Sequence, residues 1–444
     1  MGWCHVGEEA WPWHRRPWFP AACASDGRYR RLRIVSTAQQ KVRSVAEHQA
    51  EVCQLVAPLA PRRHAPTLGE TLACDVSARW PVPPFANSAM DGFLVRTADL
   101  TAHPSPRLQV LCDVAAGSLA QTPHPGTAVR IMTGAPVPEE HQDLCVVPVE
   151  DTDASAGPGE APDYVTILAV PKKTHIRAAG ENVAYGDVVA RQGAVIDPGA
   201  IAAFASVGVT EVVAHPRPRV AVVSSGDELI ELGDTAELAE GLIPDSNRPM
   251  LAALAQSAGA GEVISLHSAD NPQACRAILD QAAARADLVI TSGGVSAGAY
   301  DVLKAVGSST EGSAIAFGSV NQKPGSPQGW GTWNNTPIIC LPGNPVASFV
   351  SFHLYARPAM DILAGREPRT SWLTARWEGH QLKQSSRPSY TPVTLHAAGD
   401  LVARPVLSGG VHSHFVSSLV GAQGLALATP DPAKVKVFPF LSTL

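Results

Sequence analysis

Short apolar runs at 220–223, 263–266, 287–290 and 338–341 alternate with helical stretches, and this rhythm constrains the fold more than any other feature of the chain. Such runs suit strands buried on both faces of a parallel sheet, and strand–helix alternation predicts a doubly wound α/β domain. Three of the runs end in polar, glycine-bearing turns at 224–228, 291–296 and 342–345. In an open α/β sheet those turns converge at the carboxyl ends of the strands, where ligands bind. Ser225, Gly226, Asp227 and Glu228 of the first turn, Ser292, Gly293, Gly294 and Ser296 of the second, and Pro342, Gly343 and Asn344 of the third are therefore expected to meet there. Adjacent glycines tolerate positive φ and so turn successive N–H groups toward an anion. Asp270 lies in the connection after 263–266, and Asp301 and Lys304 lie just past the second turn, which suits a divalent cation beside a phosphate oxygen. No turn is a Walker A sequence or a Gly-x-Gly-x-x-Gly loop, which argues against ordinary ATPase and dehydrogenase readings.

At 444 residues the chain exceeds one hydrophobic core and predicts several domains. The net charge of -6 argues against nucleic acid as a general partner, and no apolar run is long enough for a membrane span. Eight cysteines without a Cys-x-x-Cys pair are expected to be reduced and buried in a cytoplasmic protein. Residues 1–41 mix tryptophans, prolines and arginines without helical or strand period, so a disordered, dispensable leader is expected.

Ser44 and Glu47 form a capping-box pattern ahead of a helix that Pro58 ends. From 59 to 171 the apolar runs are short and β-like, predicting a small β domain. Within it, Asp91-Gly92 reads as a tight hairpin turn, and Thr133-Gly134 as a loop. Asp227 reads as a cap for a following helix, and Asp245-Ser246-Asn247 as the cap of a helix from Arg248. Beyond Arg366 helical signals vanish, and runs at 373–377, 392–395 and 434–438 predict a closing β-barrel.

In order along the chain, SAMDG at 88–92, RIMTGAPVP at 130–138, AGEN at 179–182, SSGDEL at 224–229, TSGGVSAG at 291–298 and LPGNPVAS at 341–348 resemble the MoeA-type molybdopterin molybdenumtransferases. These are the molybdenum insertases, a family that includes the gephyrin E domain. The resemblance implies a multidomain α/β and β fold. Its parts are a discontinuous, elongated linker domain at 42–60 and 172–216, a small β domain at 61–171, a doubly wound molybdopterin-binding α/β domain at 217–365 and a C-terminal β-barrel at 366–444. It implies insertion of molybdate into adenylylated molybdopterin with release of AMP, assisted by Mg2+. It further implies a homodimer in which the β domain of one subunit faces the α/β cleft of the other, supplied by a molybdopterin adenylyltransferase.

Carried over by motif, Asp91, Thr133, Glu228, Asp301 and Lys304 are the expected catalytic residues, with Asp301 and Glu228 on the metal. Ser225, Gly226, Asp270, Ser292, Gly293, Gly294, Ser296, Lys323, Pro342, Gly343 and Asn344 are the expected substrate contacts. The chain departs from the family at Asn182, where Asp is usual, at Ser326, where a lysine is usual, and at Pro392, near an expected arginine; Arg387 keeps another. A catalytically weakened paralogue that binds molybdopterin or a partner protein is therefore the alternative expectation.

Overall fold

The structure, a computed structural model, describes residues 42–444 apart from 232, 234–237, 296–301, 308–312, 370, 383, 408–411 and 441–444. The leader at 1–41 and the expected site residues Ser296 and Asp301 lie outside the described residues.

The sheet that carries the three turns has six strands, in the order Glu262–Ser268, Arg219–Ser225, Leu288–Ser292, Thr336–Leu341, Pro327–Trp333 and Ala314–Ser319. The first four are parallel and the last two antiparallel. Alternate residues face opposite cores. Val220, Val222, Leu288, Ile290 and Ile339 pack with Leu251, Ala255 and Val346 on one side, whereas Ala221, Val223, Val289, Ile338 and Cys340 pack with Leu279, Ala282 and Leu303 on the other. Both faces are thus covered by helices, as a doubly wound domain requires. The antiparallel pair was hidden because glycines interrupt its apolar run. A Cβ at Gly331 would sit 1.9 Å from the carbonyl oxygen of Ala314, so close strand pairing selects glycine there.

One helix has no solvent face. Pro345–Ser351 runs through a wide π turn, Phe352–Ala356, into Arg357–Leu363, and nearly all its side chains are buried. Asn344 and Pro345 start it in the expected positions. Its apolar residues share one core with the parallel sheet, with Val52 and Leu55 near the N-terminal helix, and with Leu425 and Phe438 of the barrel. That N-terminal helix, Val45–Cys53, carries the expected capping box, with Ser44 and Glu47 bonding each other's backbone N–H.

The small β domain is a five-stranded sheet ordered Leu144–Pro148, Gly92–Arg96, Thr127–Ile131, Arg107–Val114 and Tyr164–Thr166, with a core on each face. Asp91-Gly92 closes no hairpin: Asn87–Ser88 pairs with Ile176–Arg177, and Gly92–Arg96 enters the middle of the sheet. Residues 62–77, expected to open this domain, instead pair with Val188–Ala190 and Val212–His215. Leu72, Val76 and Ala78 accordingly share a separate core with Phe204, Val207 and Val212. The C-terminal strands Leu373–Trp377, Asp400–Pro405, Thr391–Ala398, Gly424–Ala428 and Lys434–Pro439 close into a barrel in that order.

Among the described residues no helix is long and apolar enough to cross a membrane. Six cysteines are described, all unpaired. Only Cys145, Cys275 and Cys340 are buried; Cys74 is exposed, against expectation. Burial pushes the Cys275 thiol up to about 11 and that of Cys340 to about 12, so neither is a nucleophile near neutrality.

Candidate functional site

The chain crosses from Arg219–Ser225 first to the strand on one side and then to Leu288–Ser292 on the other, leaving a crevice at their carboxyl ends. A cleft of about 520 Å³ opens there. Ser225, Gly226, Glu228, Asp270, Ser292, Gly293, Gly294, Gly343 and Asn344 all line it, so three turns and one connection far apart in sequence meet. Gly293 and Gly294 hold φ of 95° and 67°. A Cβ on Gly343 would come within 3.6 Å of Gly293, which brings the second and third turns into contact.

The donors differ from the expectation by one residue. The Gly293 N–H is taken by the carbonyl of Leu341 at 3.1 Å. The N–H groups of Gly294 and Val295, and of Gly343 and Asn344, have no backbone acceptor among the described residues and are the ones available to an anion. Glu228 folds back over Gly226, where a Cβ would meet its carboxylate at 2.4 Å. Asp227 caps no helix: its Oδ1 accepts the Asp270 N–H at 3.0 Å, and Asp270 Oδ2 accepts the Asp227 N–H at 3.3 Å. This reciprocal pair fixes the Asp270 connection against the first turn.

Asp245, Asn247 and His414 also line the cleft. Sequence reading assigned the first two to a helix cap. Asp245 is buried, accepts the Ser224 hydroxyl at 2.6 Å and pairs with Arg248 Nε at 3.1 Å. Asn247 Nδ2 donates to Ser292 Oγ at 2.8 Å and to the Gly343 carbonyl at 2.5 Å, tying the second turn to the third. The available signal was the polar triplet itself, which follows the short strand Ile243–Pro244 paired with Leu229–Ile230 just past the first turn. His414 comes from the barrel, where the Ser413 carbonyl accepts the Val346 N–H at 3.1 Å. Nothing in its local sequence marks it.

Among the described residues, Lys304, Pro342, Lys323, Asp91 and Thr133 do not line this cleft. Lys304 lies on the short helix Val302–Gly307 with its ammonium 5.9 Å over the Phe317 ring. The Pro342 carbonyl accepts the Ser348 hydroxyl at 2.5 Å beneath the third turn. Lys323 is exposed on the loop before Pro327–Trp333. Asp91 and Thr133 meet each other on the β domain, where Asp91 Oδ1 accepts the Thr133 N–H at 2.6 Å and its hydroxyl at 2.7 Å. Those two bonds hold the Asp91 carboxyl below the usual carboxylate range.

Fold and cleft together define a multidomain protein built around a molybdopterin-binding α/β domain. Residues 221–361 match the family model described as a probable molybdopterin binding domain, and residues 43–208 match the MoeA N-terminal region, domains I and II. The chain belongs to the molybdopterin molybdenumtransferase family. It is 39% identical over 412 residues to molybdopterin molybdenumtransferase 2 of Mycobacterium tuberculosis, across 89% of this chain and 97% of that protein. Identity to the molybdopterin molybdenumtransferase of Staphylococcus epidermidis is 34% over 307 residues, across 67% of this chain and 70% of that one. The solved molybdopterin biosynthesis MoeA protein from Pyrococcus horikosii superimposes with a TM-score of 0.70 at 25% identity, covering 90% of this chain and 100% of that one.

Proposed function

We propose that the chain inserts molybdate into adenylylated molybdopterin and releases AMP, as a step of molybdenum cofactor biosynthesis. The observation that carries this reading is the convergence of three glycine turns with Glu228 and Asp270 at the switch point of the α/β sheet. Backbone donors at Gly294, Val295, Gly343 and Asn344 suit the phosphates of a pterin nucleotide without side-chain charge. The Asn247 bridge keeps two of these turns at fixed spacing, so the donors are organised before the substrate arrives.

Glu228 and Asp270 are hard oxygen donors on the cleft wall, a set that fits Mg2+. With Asp301, which follows the second turn in sequence, they are the residues that would hold it. When bound, the ion offsets charge developing on the phosphoryl oxygens. Lys323 and Arg387 provide the cations for molybdate. Asp91, which accepts two hydrogen bonds from Thr133, is the carboxylate the β domain offers to a partner's cleft in a homodimer. A molybdopterin adenylyltransferase is the upstream supplier, and the cytoplasm the expected compartment.

One observation favours the weakened-paralogue reading. The Ser326 hydroxyl turns inward to the Val320 carbonyl at 2.9 Å, so it fills the place of the expected lysine without restoring a charge. The deciding experiment incubates the purified chain with adenylylated molybdopterin, molybdate and Mg2+ and follows AMP. Molybdate-dependent AMP release supports insertion; pterin binding with no AMP above background supports the paralogue.

A further inference from the structure

The buried helix from Pro345 to Leu363 carries polar groups at Ser348, Ser351 and Tyr355, spaced by three and four residues and therefore on one face. All three are fully buried. At the upper end, Ser348 Oγ bonds the Pro342 carbonyl and lies 3.3 Å from Ser292 Oγ, directly under the cleft. One turn further, Ser351 Oγ accepts from Gln328 Nε2 at 2.7 Å and Gln322 Nε2 at 3.3 Å. The Tyr355 hydroxyl donates to Gln322 Oε1. Burial keeps this phenol far above its usual range, so it stays a donor.

The loop above this stripe is held from both sides. The two glutamines donate to the Pro324 carbonyl at 3.0 Å and to the Gly325 carbonyl at 2.7 Å. From the barrel side Arg387 Nε donates to the Gln322 carbonyl at 2.7 Å. The Lys323 N–H donates to Pro388 and the Lys323 carbonyl accepts from Tyr390, each at 2.8 Å. Both backbone groups of Lys323 are thus engaged while its side chain is exposed. Stability alone does not call for such a cluster, since apolar groups of the same shape serve as well and Gln328 Oε1 lacks a partner among the described residues. The bonds that are made, from both glutamine amides and the tyrosine hydroxyl, instead fix one geometry.

We propose that Ser351, Tyr355 and Gln322 are positioning residues: they set Lys323 beside Arg387 as a fixed pair of cations for a tetrahedral oxyanion. Through Ser348 on the same helix face, they register that pair against the cleft. This rests on the molybdenum-insertion reading for the choice of oxyanion. The test titrates molybdate calorimetrically into the full chain and into Tyr355→Phe, Lys323→Ala, the double variant and Val350→Ala, with the melting temperature of each. Val350 is an apolar, buried neighbour on the same helix and reports the effect of destabilisation alone.

The expected result is that Tyr355→Phe weakens molybdate binding about fivefold to tenfold. The double variant should bind no more weakly than Lys323→Ala, because the hydroxyl acts through the lysine. Val350→Ala should melt lower yet bind as the wild type does. The proposal is overturned by any of four results. These are wild-type affinity in Tyr355→Phe, additive losses in the double variant, equal weakening by Val350→Ala, or no molybdate binding that depends on Lys323. If binding behaves as expected but the wild type releases no AMP, the insertase reading falls and the positioning role stands.

Discussion

Asp91 and Thr133 illustrate what single residues contribute and how far a sequence discloses it. They sit in two motifs that each read as an ordinary turn, yet the carboxylate accepts both the amide and the hydroxyl of Thr133. Because the folded carboxyl lies below its ordinary value, this contact stabilises the fold above the unfolded pKa and is lost as pH falls through the folded one. The group is exposed, so solvent screening keeps the effect on stability small. Thr133→Val should raise the Asp91 pKa toward that of a free carboxylate, read from its side-chain carbon shift by NMR; an unchanged titration would sink the assignment. Neighbouring glycines separate two causes of intolerance. An alanine Cβ at Gly92 would meet the Val147 carbonyl oxygen at 2.0 Å, whereas at Gly134 it meets nothing within 4 Å but must adopt φ of 83°. Gly92→Ala should therefore cost about 3 kcal/mol or more and Gly134→Ala about 1 kcal/mol in urea unfolding. Nine of the expected contacts meet in one cleft because glycine turns are visible in sequence. Asp245 and Asn247 were not, since a cap and a cleft wall use the same residue types, and His414 was not, since it reaches the cleft from the distant barrel segment.

Among elements, the buried helix organises the molecule, and its π turn shows what packing demands of a backbone. A wide turn disrupts the regular ladder, and the carbonyl of Leu354 within it accepts from Gln49 Nε2 of the N-terminal helix at 2.7 Å. Replacing that side chain removes a donor from a part-buried acceptor. Gln49→Ala should lower unfolding free energy by about 1 to 2 kcal/mol, while Glu47→Gln, which keeps a hydrogen-bonding group in the capping box, should cost less. Equal losses in urea melts would mean that the π turn does not depend on Gln49. The four parallel strands were legible because burial on both faces leaves continuous apolar runs. At Gly92–Arg96 the Asp-Gly pair carries a strong local turn signal that points to a hairpin, whereas the steric reason for Gly92 lies in a strand more than fifty residues away. The assignment of 62–77 failed for a related reason: two-residue pairings such as Thr71–Leu72 have too little sequence to show a period.

At the scale of the whole molecule, the distribution of chemistry over domains makes the strongest demand. The cleft is lined by the α/β domain and His414, whereas Asp91 and Thr133 belong to a different sheet and do not line it. A carboxylate fixed by Thr133 at the surface of the β domain has a role in turnover if a second copy brings it to the cleft, which is the arrangement proposed above. Closed two-fold assembly makes this testable by mixing, because each site in such a dimer draws Asp91 from one chain and Glu228 from the other. Asp91→Asn and Glu228→Gln should each release almost no AMP alone. When the two are unfolded together and refolded as a mixture, half the dimers should be mixed, and each of those should hold one intact site beside one doubly altered site. AMP release should then recover to about a quarter of the wild-type rate per chain. If each chain instead completed its own site, no mixture would contain an intact one and activity would stay at the level of the separate variants. Recovery that disappeared on dilution to nanomolar concentration would place the subunit interface itself under the activity, whereas a light-scattering mass of one chain at micromolar concentration, with turnover intact, would remove the shared site altogether.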